Sequence, residues 1–104
     1  MEVSIKDLSL ILKSLSDETR LKIVKMLSKG TLCACNILDE FNITQPTLSY
    51  HMKMLTDCEL VYSNKQGKWV YYSLNEDLLK GIESFFNILI NQEKVISCDI
   101  NECN

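Results

Sequence analysis

A mainly α-helical fold with one small β-hairpin, in the order α-α-α-α-β-β-α, is what this sequence predicts. Apolar residues recur at helical spacing in five separate stretches. The chemistry changes at Val61 to Ser63 and Trp69 to Leu74, which are rich in β-branched and aromatic residues. Short turn signals divide the stretches. At 104 residues, with 46% hydrophobic and 24% charged, the chain fits one soluble globular domain. A core of this size is limited, so a dimer interface would add to its stability.

The elements follow in order. Val3 to Leu15 reads as a helix, with Ile5, Leu8, Ile11, Leu12 and Leu15 on one face. Ser16-Asp17 starts a second helix, which Leu21, Ile23, Val24 and Leu27 carry to a stop at Gly30. A short third helix is expected from about Cys33 to Phe41. Phe41-Asn42-Ile43-Thr44 forms a tight turn, and Thr44 caps a fourth helix that tolerates Pro46 in its first turn. Leu48, Met52 and Leu55 give that helix a buried stripe. Asn64 to Lys68 is the hairpin loop, with Gly67 available for positive φ. A last helix, from Glu76 to Ile96, has a wide apolar face in Leu78, Leu79, Ile82, Phe85, Phe86, Leu89 and Ile90.

Two short helices joined by a tight turn and followed by a hairpin make a winged helix-turn-helix. The helix-turn-helix spans about residues 33–57, the wing about 60–74, and the terminal helix about 76–96. An α-helix about 10–12 Å across fits the major groove of B-DNA, about 12 Å wide. The second helix of such a pair enters the groove and the hairpin tip reaches flanking phosphate or minor groove. Net charge is −3, which by itself argues against nucleic acid. The acid is concentrated at the end, however. Residues 75–104 hold Lys80 and Lys94 against Glu76, Asp77, Glu83, Glu93, Asp99 and Glu102, while residues 44–74 hold Lys53, Lys65 and Lys68 against Asp57 and Glu59.

Several tracts carry a family resemblance. Leu15-Ser16-Asp17-Glu18-Thr19-Arg20-Leu21-Lys22-Ile23 resembles the "L-x-D-x-T-R-L-x-I" pattern of ArsR-family repressors. Thr44 to Met52, Thr-Gln-Pro-Thr-Leu-Ser-Tyr-His-Met, is similar to their "S-Q-P-x-V-S-x-H-L" recognition helix. Leu55 to Val61 resembles "L-x-x-A-G-L-V", with Cys58 and Glu59 in place of small residues, and Gly67 to Leu74 resembles "G-R-x-x-x-Y-x-L". The resemblance implies a homodimer, with first and last helices at its interface. It also implies an inverted-repeat operator that is released when a ligand binds. On that basis Gln45, Thr47, Ser49, Tyr50, His51, Lys53, Lys65 and Lys68 are the expected DNA contacts.

Leu32-Cys33-Ala34-Cys35-Asn36-Ile37 resembles the family's metal box "E-L-C-V-C-D-L", with Thr31 and Asn36 where the pattern has carboxylates. Soft ions prefer sulfur, so that loss leaves a thiolate site intact. Side chains at i and i+2 do not face each other on a regular helix. Cys33 and Cys35 can therefore share one ion only where the helix start is irregular, and Cys33 falls near the N-cap. The expected ion is trivalent arsenic (arsenite) or antimony (antimonite), then cadmium or lead, then zinc. The resemblance implies three thiolates, or two plus an exogenous ligand; a third sulfur would come from Cys98 or Cys103, which otherwise read as incidental thiols of a frayed end. The position of a third nearby cysteine in some relatives is Leu38, and Cys58 reads as core. The last helix has no histidine for the zinc site that other relatives build there.

Five cysteines without a secretory signal point to free thiols and a cytoplasmic location. No apolar run approaches the roughly 18 residues of a membrane span. Enzyme classes find no support. The single arginine, Arg20, precedes every cysteine, and no P-loop, paired catalytic carboxylates or Ser-His-Asp arrangement is evident. Two other classes stay open: a repressor that senses thiol oxidation, and an interaction or metal-carrier module that does not bind DNA.

Overall fold

The computed structural model describes residues 2–96. Its elements are α1 (Ile5–Leu15), α2 (Glu18–Leu27), β1 (Leu32–Cys33), α3 (Ala34–Leu38), α4 (Gln45–Asp57), β2 (Val61–Gln66), β3 (Trp69–Leu74) and α5 (Glu76–Asn91). Helix starts are set by side-chain oxygens that accept otherwise unpaired backbone N–H groups. Ser4 caps α1, Asp17 caps α2, Thr44 caps α4 and Asn75 caps α5.

The core joins all layers. Ile11 of α1, Ile23 and Leu27 of α2, Ile37 of α3, and Leu48, Met52 and Leu55 of α4 pack with Leu60, Val61 and Leu78. The stripe expected for the fourth helix is thus the buried one. Asn75, itself buried, ties the wing to α5. Its amide donates to the Glu59 carbonyl at 2.9 Å, and its oxygen accepts from the Leu78 N–H at 3.2 Å.

Four boundaries differ from the sequence expectation. Helix α1 begins at Ile5 rather than Val3, because Ser4 is its cap. Helix α3 is only five residues long and ends at Leu38, not Phe41. Strand β2 runs on to Gln66, so the loop expected over 64–68 shrinks to Gly67 and Lys68, with Gly67 at φ 63°. Helix α5 stops at Asn91, short of Ile96.

One element was not expected at all. Strand β1 makes the sheet three-stranded, in the order β1-β3-β2, with β3 in the centre and both pairings antiparallel. Two residues are too few to show any periodicity, so nothing in the sequence announced this strand.

Candidate DNA interface and thiol site

Burying Leu48, Met52 and Leu55 forces the remaining faces of α4 outward. Gln45, Thr47, Ser49, Tyr50 and Lys53 are all exposed. Thr44 accepts from the Thr47 N–H at 3.3 Å and donates its hydroxyl to Thr47 Oγ1 at 3.0 Å, which fixes the first turn. Lys53 pairs with Asp57 one turn on, at 3.1 Å. Both side chains are well exposed, so this pair adds little stability and leaves the ammonium able to exchange partners.

His51 differs from its neighbours. Its side chain is only 12% exposed and turns back toward α2. Nδ1 accepts a hydrogen bond from Arg20 Nη1 at 3.0 Å and lies 3.8 Å from Asp17 Oδ2. Arg20 is buried, and its Nε donates to the Ser14 carbonyl at the end of α1. The Ser14 hydroxyl in turn donates to the Met54 carbonyl of α4 at 3.2 Å. The end of α1, the start of α2 and the middle of α4 are thereby locked together. In the sequence Arg20 stands out only as part of the "L-x-D-x-T-R-L-x-I" pattern, which assigns it no role. The signal in the sequence is a sole arginine three residues after a helix-capping aspartate.

The Asp17 carboxyl is held below the usual carboxylate range. The Arg20 backbone N–H is the main cause; burial offsets part of it, and the charge of Arg20 adds to it.

On the wing, alternation along the strands puts Tyr62, Asn64, Gln66, Trp69 and Tyr71 on one face, opposite the face that carries Val61 and Leu74 into the core. Tyr62 and Trp69 are exposed, and Lys65 and Lys68 are exposed near the tip. The Lys68 ammonium lies 5.6 Å from the centre of the Trp69 ring. These lysines and the outer face of α4 are the expected DNA contacts, and all but His51 are open to solvent.

Cys33 ends β1 and serves as N-cap of α3, with extended backbone at φ −82° and ψ 158°. Its N–H donates to Asn36 Oδ1 at 3.1 Å. Because residue 33 is extended while residue 35 is helical, the two side chains converge, with Cα atoms 5.4 Å apart and the sulfurs joined as a disulfide. This corrects the expectation of five free thiols. The irregular helix start that a shared ligand requires is present. Cys33 is buried and Cys35 is exposed, so one face of the pair is reachable.

As free thiolates these two sulfurs would meet one soft ion at the same place. Among the described residues no cluster of three or more His, Cys, Asp or Glu side chains surrounds a common point. Leu38 is half-buried against the core. Cys58 packs there too, with its thiol directed to the Leu55 carbonyl at 3.4 Å. Cys98 and Cys103 lie outside the described residues.

Comparison with known proteins agrees with this arrangement. The family described as "Bacterial regulatory protein, arsR family" matches residues 17–63. An arsenical resistance operon repressor of Staphylococcus aureus is 47% identical over 96 residues, 92% of each chain. A crystal structure of an ArsR family transcriptional regulator superposes with a TM-score of 0.77 at 21% identity, covering 90% of this chain and all of that one. The solution structure of a homodimeric winged helix-turn-helix DNA-binding domain from Mycobacterium bovis superposes at 0.66 and 20% identity, covering 88% and 89%. An outward-facing recognition helix, a wing and a near-full-length relative of the same order lead to one conclusion: this chain belongs to the arsR family of bacterial regulatory proteins and is a winged helix-turn-helix transcriptional regulator, not an enzyme.

Proposed function

We propose that the chain is a cytoplasmic repressor of an arsenical-resistance operon, released from its operator when trivalent arsenic or antimony binds Cys33 and Cys35. The observation that carries this reading is the convergence of the two sulfurs at the extended N-cap of α3. That helix leads directly into the turn before α4, so any ligand that reshapes it moves the recognition helix. Release requires only that the ion prefer the state that fits DNA poorly. The identity with the Staphylococcus repressor supports the choice of arsenicals. Thiophilic cadmium and lead rank next, then zinc, with Cys98 or Cys103 as a third ligand.

The active form is a homodimer. Ile5, Leu12 and Phe86 are exposed beside a groove between α1 and α5, and Ile88, Leu89 and Ile90 continue the apolar surface. A second copy covering these side chains would remove a surface costly to leave in water. Two α4 helices would then read half-sites about 34–36 Å apart. Gln45, Thr47, Ser49 and Tyr50 face the bases, Lys53, Lys65 and Lys68 the phosphates, and His51 holds α4 in register through Arg20.

The test is anisotropy titration of a labelled operator complex, under reductant, with arsenite, antimonite, cadmium, lead and zinc in turn. Arsenite and antimonite are expected to release the DNA at the lowest concentrations, and Cys33→Ser and Cys35→Ser to abolish release. A dimer that stays bound while loaded with arsenite at both cysteines refutes the reading.

The disulfide itself favours a second reading, a thiol oxidation sensor. One peroxide would take two electrons from the two thiols, giving the disulfide and two waters. Release by peroxide that dithiothreitol reverses, with no response to arsenite, would select it.

A further inference from the structure

The unexpected strand places the thiol site in direct register with the wing. Strand β1 pairs Leu32 with Tyr72 and Cys33 with Tyr71; across β3, Tyr71 pairs with Asn64 of β2. Cys33, Tyr71 and Asn64 therefore form one row across the sheet. Directly opposed residues carry Cβ atoms about 4.5–5.5 Å apart, so Cys33 and Tyr71 are side-chain neighbours. Cys33 thus belongs at once to a strand, a helix cap and the thiol pair. Helix α3 also rests on β3.

We propose that Tyr71 is a positioning residue that transmits ion capture at Cys33 and Cys35 into the wing. The inference rests on the ion-sensing reading above and assigns it a second route besides the recognition helix. An ion bridging the two sulfurs holds them farther apart than the bonded pair, and the Cys33 side chain or its backbone shifts to meet it. The parts that can yield are a two-residue edge strand and a five-residue helix, both held by few hydrogen bonds. When β1 shifts, its partner on β3 loses its neighbour at Tyr71. Trp69 lies two residues farther along the same strand and on the same face, beside the tip that carries Lys65 and Lys68. Displacing this hairpin at the Tyr71–Asn64 pair, one register position from Lys65, swings those lysines away from the backbone they would contact.

The experiment uses the full-length reduced protein, with arsenite as the probe. Trp69 is the sole tryptophan, so its emission reports the wing without a label. Saturating arsenite is expected to shift that emission and to speed amide hydrogen exchange across residues 69–74 by about tenfold or more. Tyr71→Phe keeps the ring and behaves as wild type. Tyr71→Ala binds arsenite with unchanged stoichiometry by mass spectrometry, yet arsenite weakens its operator binding about tenfold less than in wild type, within the usual range of coupling between sites. The exchange measurement on wild type needs no variant and stands even where Tyr71→Ala is poorly folded. Arsenite bound and operator released, with exchange of 69–74 unchanged, overturns the wing route and leaves the sensor reading intact. Arsenite bound with the operator still held overturns both.

Discussion

Arg20 of α2 donates a hydrogen bond from Nη1 to Nδ1 of His51 on α4, 3.0 Å away, while its Nε holds the carbonyl of Ser14 at the end of α1. A neutral imidazole accepts at Nδ1 only when its proton sits on Nε2, so this contact also fixes the tautomer. The sole histidine and the sole arginine of the chain thereby set how the DNA-reading helix sits on the body.

Arg20→Ala should therefore do two things. It leaves the Ser14 carbonyl and His51 Nδ1 without their donor, at a cost of about 1–3 kcal/mol by urea denaturation. It should also weaken operator binding in anisotropy titrations, because α4 loses a fixed point. Arg20→Lys should rescue little, since a single ammonium cannot reproduce the guanidinium's two-directional reach.

Acid should loosen the same corner through Asp17. Its carboxyl is held below the ordinary range, first by the Arg20 backbone N–H. A carboxyl with a depressed folded pKa contributes stability that is complete above its unfolded value, about 3.9. That contribution is lost as pH falls through the folded value. Asp17→Asn keeps an oxygen to cap α2 but has no proton to gain. Denaturation curves below about pH 4 should fall more steeply for wild type than for this variant; parallel curves would contradict the assignment.

Glu59 is the only non-glycine residue with positive φ among the described residues, at 64°. The related pattern has glycine there, and a side chain in the left-handed region costs about 1–2 kcal/mol. Glycine gives part of that back through its larger entropy loss on folding. Glu59→Gly should raise stability by about 0.5–1 kcal/mol, read as a higher urea midpoint with an unchanged slope.

The wing lysines should act as phosphate contacts. Lys65→Ala and Lys68→Ala are each expected to weaken operator and unrelated DNA alike, and to reduce the slope of log affinity against log salt by about one. Thr47→Ala should instead weaken the operator selectively, since its side chain lies on the exposed first turn of α4.

Most of the fold, and which face of α4 is exposed, were legible in the sequence. Leu48, Met52 and Leu55 declared which face of α4 is buried, and so which residues point outward. Thr44 and Asp17 marked helix starts, because a short side-chain oxygen before an apolar run satisfies N–H groups the helix cannot. Cys33 and Cys35 stood out by their resemblance to the family's metal box, and the need for an irregular backbone between them followed from helix geometry.

Three contacts were not legible, and all three join residues distant along the chain. The pairing of Cys33 with Tyr71, the bond from Arg20 to His51, and the burial of Asn75 under Glu59 arise only when α2, α4 and the wing close on one core. Local propensity records the preferences of a residue and its near neighbours. A two-residue strand is stabilised by its partner rather than by its own sequence, so only the tertiary structure decided that the thiol site and the wing would share a sheet.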